Sequence, residues 1–127
     1  MIKWIKVEKY NLFVDGEKLN TTIGRFLNNL SRTNSVDIPS LRKATSDLLN
    51  IKRSIPIFIN SDLLLVKVRL NKEETIYFNY VAIKDYLIKE KMIFLFFNDG
   101  TKEKLLISKQ RSKNLIFNAA KVYDYWA

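Results

Sequence analysis

Six consecutive apolar residues, Met92-Ile93-Phe94-Leu95-Phe96-Phe97, run directly into Asn98-Asp99-Gly100 and on to Thr101–Ser108. So short an apolar run, rich in aromatic and branched side chains and closed by turn residues, reads as a strand with neighbours on both sides rather than as a helix. Gly accepts the positive φ that a tight turn demands, so the segment predicts a β-hairpin whose first strand is apolar on both faces and lies in the middle of a sheet. The rest of the chain must then supply partners for that strand.

The remaining patterns fit that requirement. Tyr10–Val14, Asp15-Gly16 and Glu17–Leu19 read as a strand, a tight turn and a returning strand. Asn20-Thr21-Thr22 can cap a short helix with Ile23, Phe26, Leu27 and Leu30 on one face. Gly24 within that helix marks a close approach or a kink. Residues Ser31–Ser40 turn polar, the one linker-like stretch in the chain, and Ser40 is then placed to cap a turn or two running from Leu41 to Leu49. Ile55–Ile59 opens an antiparallel meander with Pro56 at a strand start or edge, Asn60-Ser61-Asp62 turns it, and Leu63–Leu70 returns with Lys67 and Arg69 exposed on alternate positions. Thr75–Ile83 supplies a further strand, which Lys84-Asp85-Tyr86 extends or turns. A final helix, capped by Ser108 or Ser112, gathers Leu115, Ile116, Ala119, Val122, Tyr123 and Trp126 on one face. The expected architecture is α+β: residues 1–127 as a single strand-rich domain, an antiparallel meander sheet with one or two short helices and a C-terminal amphipathic helix packed on the sheet.

The residue inventory narrows the chemistry. Cys and His are both absent, which removes thiolate nucleophiles, imidazole bases, disulfides and the usual zinc and iron ligand sets. No Asp-x-Asp or Glu-x-x-Glu pair stands out, and Asp85, Asp99 and Asp124 look isolated. The three glycines, Gly16, Gly24 and Gly100, belong to no phosphate-binding loop pattern. No enzyme, no metal site and no cofactor is expected. The first residues, Met1–Lys9, carry charges too often for a secretory signal, and the longest apolar run falls far short of the roughly 20 residues a membrane helix needs. A cytoplasmic protein without membrane contact is expected.

Charge supplies the positive indication. Lys and Arg number 22 against 13 Asp and Glu, a formal net charge of +9 that suits a polyanionic partner. One concentration comprises Arg25, Arg32, Arg42, Lys43, Lys52 and Arg53, most of them in or beside the polar segment after the first helix. Read as a mobile basic loop, it suits insertion into a groove, Arg fitting a narrow minor groove and Lys fitting phosphates. The other comprises Lys102, Lys104, Lys109, Arg111 and Lys113, with Glu103 the one acid among them. Cations in a helix's first turn oppose its dipole, so a phosphate backbone is a natural user of these, the alternative being an ordinary solvated face. Aromatic residues including Tyr77, Phe78, Tyr80, Phe94, Phe96 and Phe97 invite a base-stacking reading, set against plain core packing; Tyr77 and Tyr86 are the ones least needed for a core.

The succession of Leu12-Phe13-Val14, Arg42-Lys43-Ala44-Thr45, Pro56-Ile57-Phe58-Ile59, Phe94–Gly100 continuing into Leu105–Ser108, and a helix around Ala119–Trp126 resembles the ComK family of competence transcription factors. The resemblance covers most of the chain. It departs from the family where Thr33–Leu41 replaces a small-residue Gly-Ser stretch, and where the family's longer C-terminal extension is missing. It implies a DNA-binding regulator of transcription that prefers AT-rich duplex DNA, of the kind that governs DNA uptake, with homodimerisation left open. The rival reading is an interaction protein of a phage or mobile element that keeps a regulator's fold but inhibits a host nucleic-acid enzyme or regulator. In that case the basic face meets an acidic host protein, with Tyr125 and Trp126 as anchors.

Overall fold

In the computed structural model, which describes residues 1–127, the hairpin around Asn98-Asp99-Gly100 is present as β8 (Ile93–Phe97) and β9 (Lys102–Leu105). Gly100 takes φ +87° at the turn, where the Asp99 carboxylate accepts from the Thr101 N–H (3.0 Å) and hydroxyl (2.6 Å). Its surroundings differ from expectation. β8 is the middle of a separate three-stranded sheet, between β9 and β7 (Ile83–Ile88), not of the principal one. Nor are both of its faces buried: Ile93, Leu95 and Phe97 are, while Phe94 and Phe96 are half-buried on the other side.

The principal sheet is antiparallel and six-stranded, in the order β3 (Glu17–Leu19), β2 (Asn11–Val14), β1 (Trp4–Glu8), β6 (Glu74–Asn79), β5 (Leu63–Arg69), β4 (Ile57–Asn60). The N-terminal hairpin and the Pro56-led meander therefore lie at opposite ends of one sheet. β1 joins them, setting Ile5 opposite Val14 on one side and Tyr77 on the other. The charges that disqualify this segment as a signal, Lys6 and Glu8, follow the period of two that makes it a strand. Thr75–Ile83 is not one strand: it stops at Asn79, makes a 3-10 turn over Tyr80–Ala82 and re-enters as β7, which Lys84-Asp85-Tyr86 extend. Tyr77 is buried and is part of the core, contrary to the expectation that it could be spared.

Residues Ser31–Ser40 are not a loop. Helix α1 (Ile23–Thr33), capped by Thr22 accepting from the Arg25 N–H (3.3 Å), runs into a tight turn. Helix α2 (Ile38–Leu49) then starts behind Asp37, with Pro39 in its first turn, where a missing N–H costs nothing. Ser40 therefore lies inside α2, and its hydroxyl donates to the Asp37 carboxylate instead of capping. Gly24 is exposed, and a Cβ built there would meet nothing within 4 Å, so it marks neither a kink nor a close approach.

Each face of the principal sheet carries its own core. On one side, Ile5, Leu65, Ile57, Ile59 and Tyr77 are covered by Ile23, Phe26, Leu27 and Leu30 of α1 and by Ile38 of α2. On the other, Leu64, Val66, Val68, Ile76 and Phe78 meet Ile93, Leu95 and Phe97 of the small sheet and Leu115, Ile116, Ala119 and Val122 of helix α3 (Lys109–Trp126). The apolar face read for α3 is the face it buries. Polar ties fix its far end: the Trp126 indole donates to the buried Thr45 hydroxyl (3.1 Å), and Lys121 donates to the Leu49 carbonyl (2.7 Å).

Candidate nucleic-acid interface

The two basic concentrations of the sequence do not survive as two patches; the fold divides each and joins one part of the first to one part of the second. After α2, Asn50 and Ser54 adopt positive φ, +55° and +48°, so the chain doubles back over Lys52 and Arg53 before entering β4. That bend brings Lys52 and Arg53 against the start of α3, where they line an open cleft of about 620 Å³ with Arg111. Gln110, Asn114 and Asn118 line it too, and no carboxylate does.

The start of α3 is suited to an anion. Ser108 caps the helix, its hydroxyl oxygen accepting from the Arg111 N–H (3.2 Å), and no acid sits in the first turn, so the positive end of the dipole is left uncompensated. Arg111 is half-buried, and one of its guanidinium nitrogens donates to the Arg69 carbonyl (3.2 Å). The contact fixes one side of the guanidinium and leaves N–H groups without a protein acceptor on a residue that lines the cleft, and a guanidinium held in this way is suited to phosphate contact.

The other basic residues go elsewhere. Arg25 and Arg32 flank a shallow polar hollow on the open side of α1, where Arg32 donates to the Asn29 side chain (2.7 Å). Arg42 and Lys43 are exposed on α2. Burial pushes the Tyr77 hydroxyl's pKa up, and the positive charge of Arg42 nearby works against that rise. Lys113 is exposed on α3, while Lys109 is occupied by Glu90 at 3.7 Å. Lys102 and Lys104 lie on β9, opposite Phe96 and Phe94.

The sequence reading missed the amide side chains of the cleft, although Gln110, Asn114 and Asn118 recur at intervals of four, one helical face, and the first two are hydrogen-bonded (3.0 Å). It also left out Lys89, whose ammonium lies over the Phe94 ring. Of the aromatic anchors expected at the C-terminus, Tyr125 is half exposed, whereas Trp126 is committed to Thr45. No group of His, Cys, Asp and Glu could hold a metal ion, and no helix is long and apolar enough to cross a membrane. The fold and this cleft define an α+β protein with a basic, carboxylate-free groove at a helix start. No protein-family model, curated protein or solved structure matches the chain.

Proposed function

We propose that this chain is a DNA-binding, regulator-like protein that grips the phosphate backbone of AT-rich duplex DNA in the cleft between the Lys52–Ser54 bend and the start of α3. The observation that carries the reading is the convergence of Lys52, Arg53 and Arg111 with four neutral amides, Asn50, Gln110, Asn114 and Asn118, on a groove without a carboxylate. Charge of one sign in a concave site attracts a polyanion, and the amides add hydrogen-bond donors that do not repel it. The preference for AT-rich sequence rests on the arginines, which favour a narrow minor groove, and on the resemblance to the ComK family.

Fluorescence anisotropy against AT-rich and GC-rich duplexes across a salt series tests it. Each phosphate contact contributes about 0.9 to the log–log salt slope, so K52Q/R53Q should flatten the slope by about 2 and weaken binding about tenfold or more at low salt. Absence of duplex binding by the unsubstituted protein at low salt would overturn the reading and transfer the basic face to an acidic protein partner.

A further inference from the structure

The outer face of the three-stranded sheet is an anomaly for a solvent-facing surface. A sheet covered on one side normally alternates apolar-in and polar-out. β8 instead sets Phe94 and Phe96 outward, their rings nearly parallel (23°) with centroids 6.5 Å apart. The register shows what stands beside them: Leu87, Phe94 and Lys104 form one rung across the sheet, and Asp85, Phe96 and Lys102 the next. Lys89 adds a third cation, its ammonium 5.7 Å from the Phe94 ring centre. Lys89, Lys102 and Lys104 are exposed and none makes a salt bridge, so the face carries three free cations against the single carboxylate of Asp85.

We infer that this face is a second binding site, separate from the basic cleft, on which the unpaired bases of a single-stranded nucleic acid stack against Phe94 and Phe96 while its phosphates run along Lys89, Lys102 and Lys104. The pairing of ring and cation is what selects the ligand. A duplex keeps its bases stacked on one another and offers a flat aromatic sheet nothing but phosphate, whereas a single strand offers a base face and a phosphate for each nucleotide. An apolar protein surface would leave three ammonium groups desolvated without partners, a cost that a polyanion removes. The site shares no lining residue with the cleft, so it stands or falls independently of the duplex reading.

The test titrates labelled oligothymidine, oligouridine, an abasic strand of equal length and a duplex. The base-bearing strands should bind at least about tenfold more tightly than the abasic one, since stacking contributes roughly a tenfold gain per base. F94L/F96L keeps the apolar volume and removes the ring faces; it should abolish that preference while leaving duplex affinity unchanged. Should F94L/F96L fail to fold, K102Q/K104Q, both on exposed edge-strand positions, should flatten the salt slope for the single strand alone. The thymidine and uridine arms decide whether the natural strand is DNA or RNA. Equal binding of abasic and base-bearing strands, an unaltered preference in F94L/F96L, or equal losses for single strand and duplex would each overturn the inference.

Discussion

Asn79 is fully buried, and every polar atom of its side chain is used. Its amide donates to the Ile2 (2.7 Å) and Asp62 (2.9 Å) carbonyls, and its oxygen accepts from the Leu64 (3.0 Å) and Val81 (3.2 Å) N–H groups. One residue thus ties the N-terminal segment, the β4–β5 turn and the 3-10 turn to the end of β6. Asn79→Ala would strand these groups in the interior, and a loss of about 3 kcal/mol or more is expected from urea unfolding. At the surface, Lys3 and Asp99 meet at 2.7 Å and link the entry of β1 to the β8–β9 turn. The Lys3 hydrogen bond, followed by those from Thr101, holds the Asp99 carboxyl well below the usual carboxylate range, and the same bond raises the Lys3 ammonium. A carboxyl lowered by folding contributes stability above its unfolded pKa, about pH 4, that is lost as pH falls; an ammonium raised by folding contributes below about pH 10 and is lost as pH rises. Unfolding midpoints of the unsubstituted protein and D99N should therefore differ most between those limits, and the difference should shrink progressively as pH falls below about 4 toward the lowered pKa of the folded carboxyl.

At the scale of elements, what the sequence made legible were the features set by local periodicity and turn chemistry. Gly16 and Gly100 mark hairpins, Thr22 and Ser108 mark helix starts, and the spacing of Leu115, Ile116, Ala119 and Val122 marks the buried face of α3. What was not legible depended on partners distant in sequence. Nothing local distinguishes β8 as the centre of a three-stranded sheet rather than the six-stranded one, and although Asn79 caps the 3-10 turn locally through the Val81 N–H, the bonds that bury it go to Ile2, Asp62 and Leu64, far off in sequence. The Ser31–Ser40 stretch failed for a different reason: small polar residues serve equally as loop and as the ends of two helices, and the fold decides. The cap of α3 carries its own prediction. Ser108→Ala removes the acceptor of the Arg111 N–H and should cost about 1 kcal/mol in thermal or urea unfolding. Because the same turn positions Arg111, it should also weaken duplex binding, whereas T22A, with an equivalent loss at α1, should not.

For the whole molecule the question is whether its +9 charge acts as a diffuse field or through a place. The basic residues were visible in the sequence as runs, but a run is not a patch: Lys102 and Lys104 are carried onto a sheet face while Arg111, a few residues on, turns toward Lys52 and Arg53. The bend at Asn50 and Ser54 produces that meeting; Asn after a helix is a residue type that favours positive φ, but Ser54 carries no such signal, and the direction of the bend depends on both. A diffuse field predicts that any two cations are worth the same, since long-range attraction depends on the sum of charges. A localised site predicts otherwise. K9Q/K18Q removes as much charge as K52Q/R53Q, but from the N-terminal hairpin, where Lys18 is exposed on β3 and Lys9 makes only a loose contact with Glu73 at 3.9 Å. Duplex affinity at one fixed low salt concentration should fall by less than about threefold in K9Q/K18Q and by about tenfold or more in K52Q/R53Q. Equal losses would mean that the charge of the molecule, and not the cleft, attracts the nucleic acid.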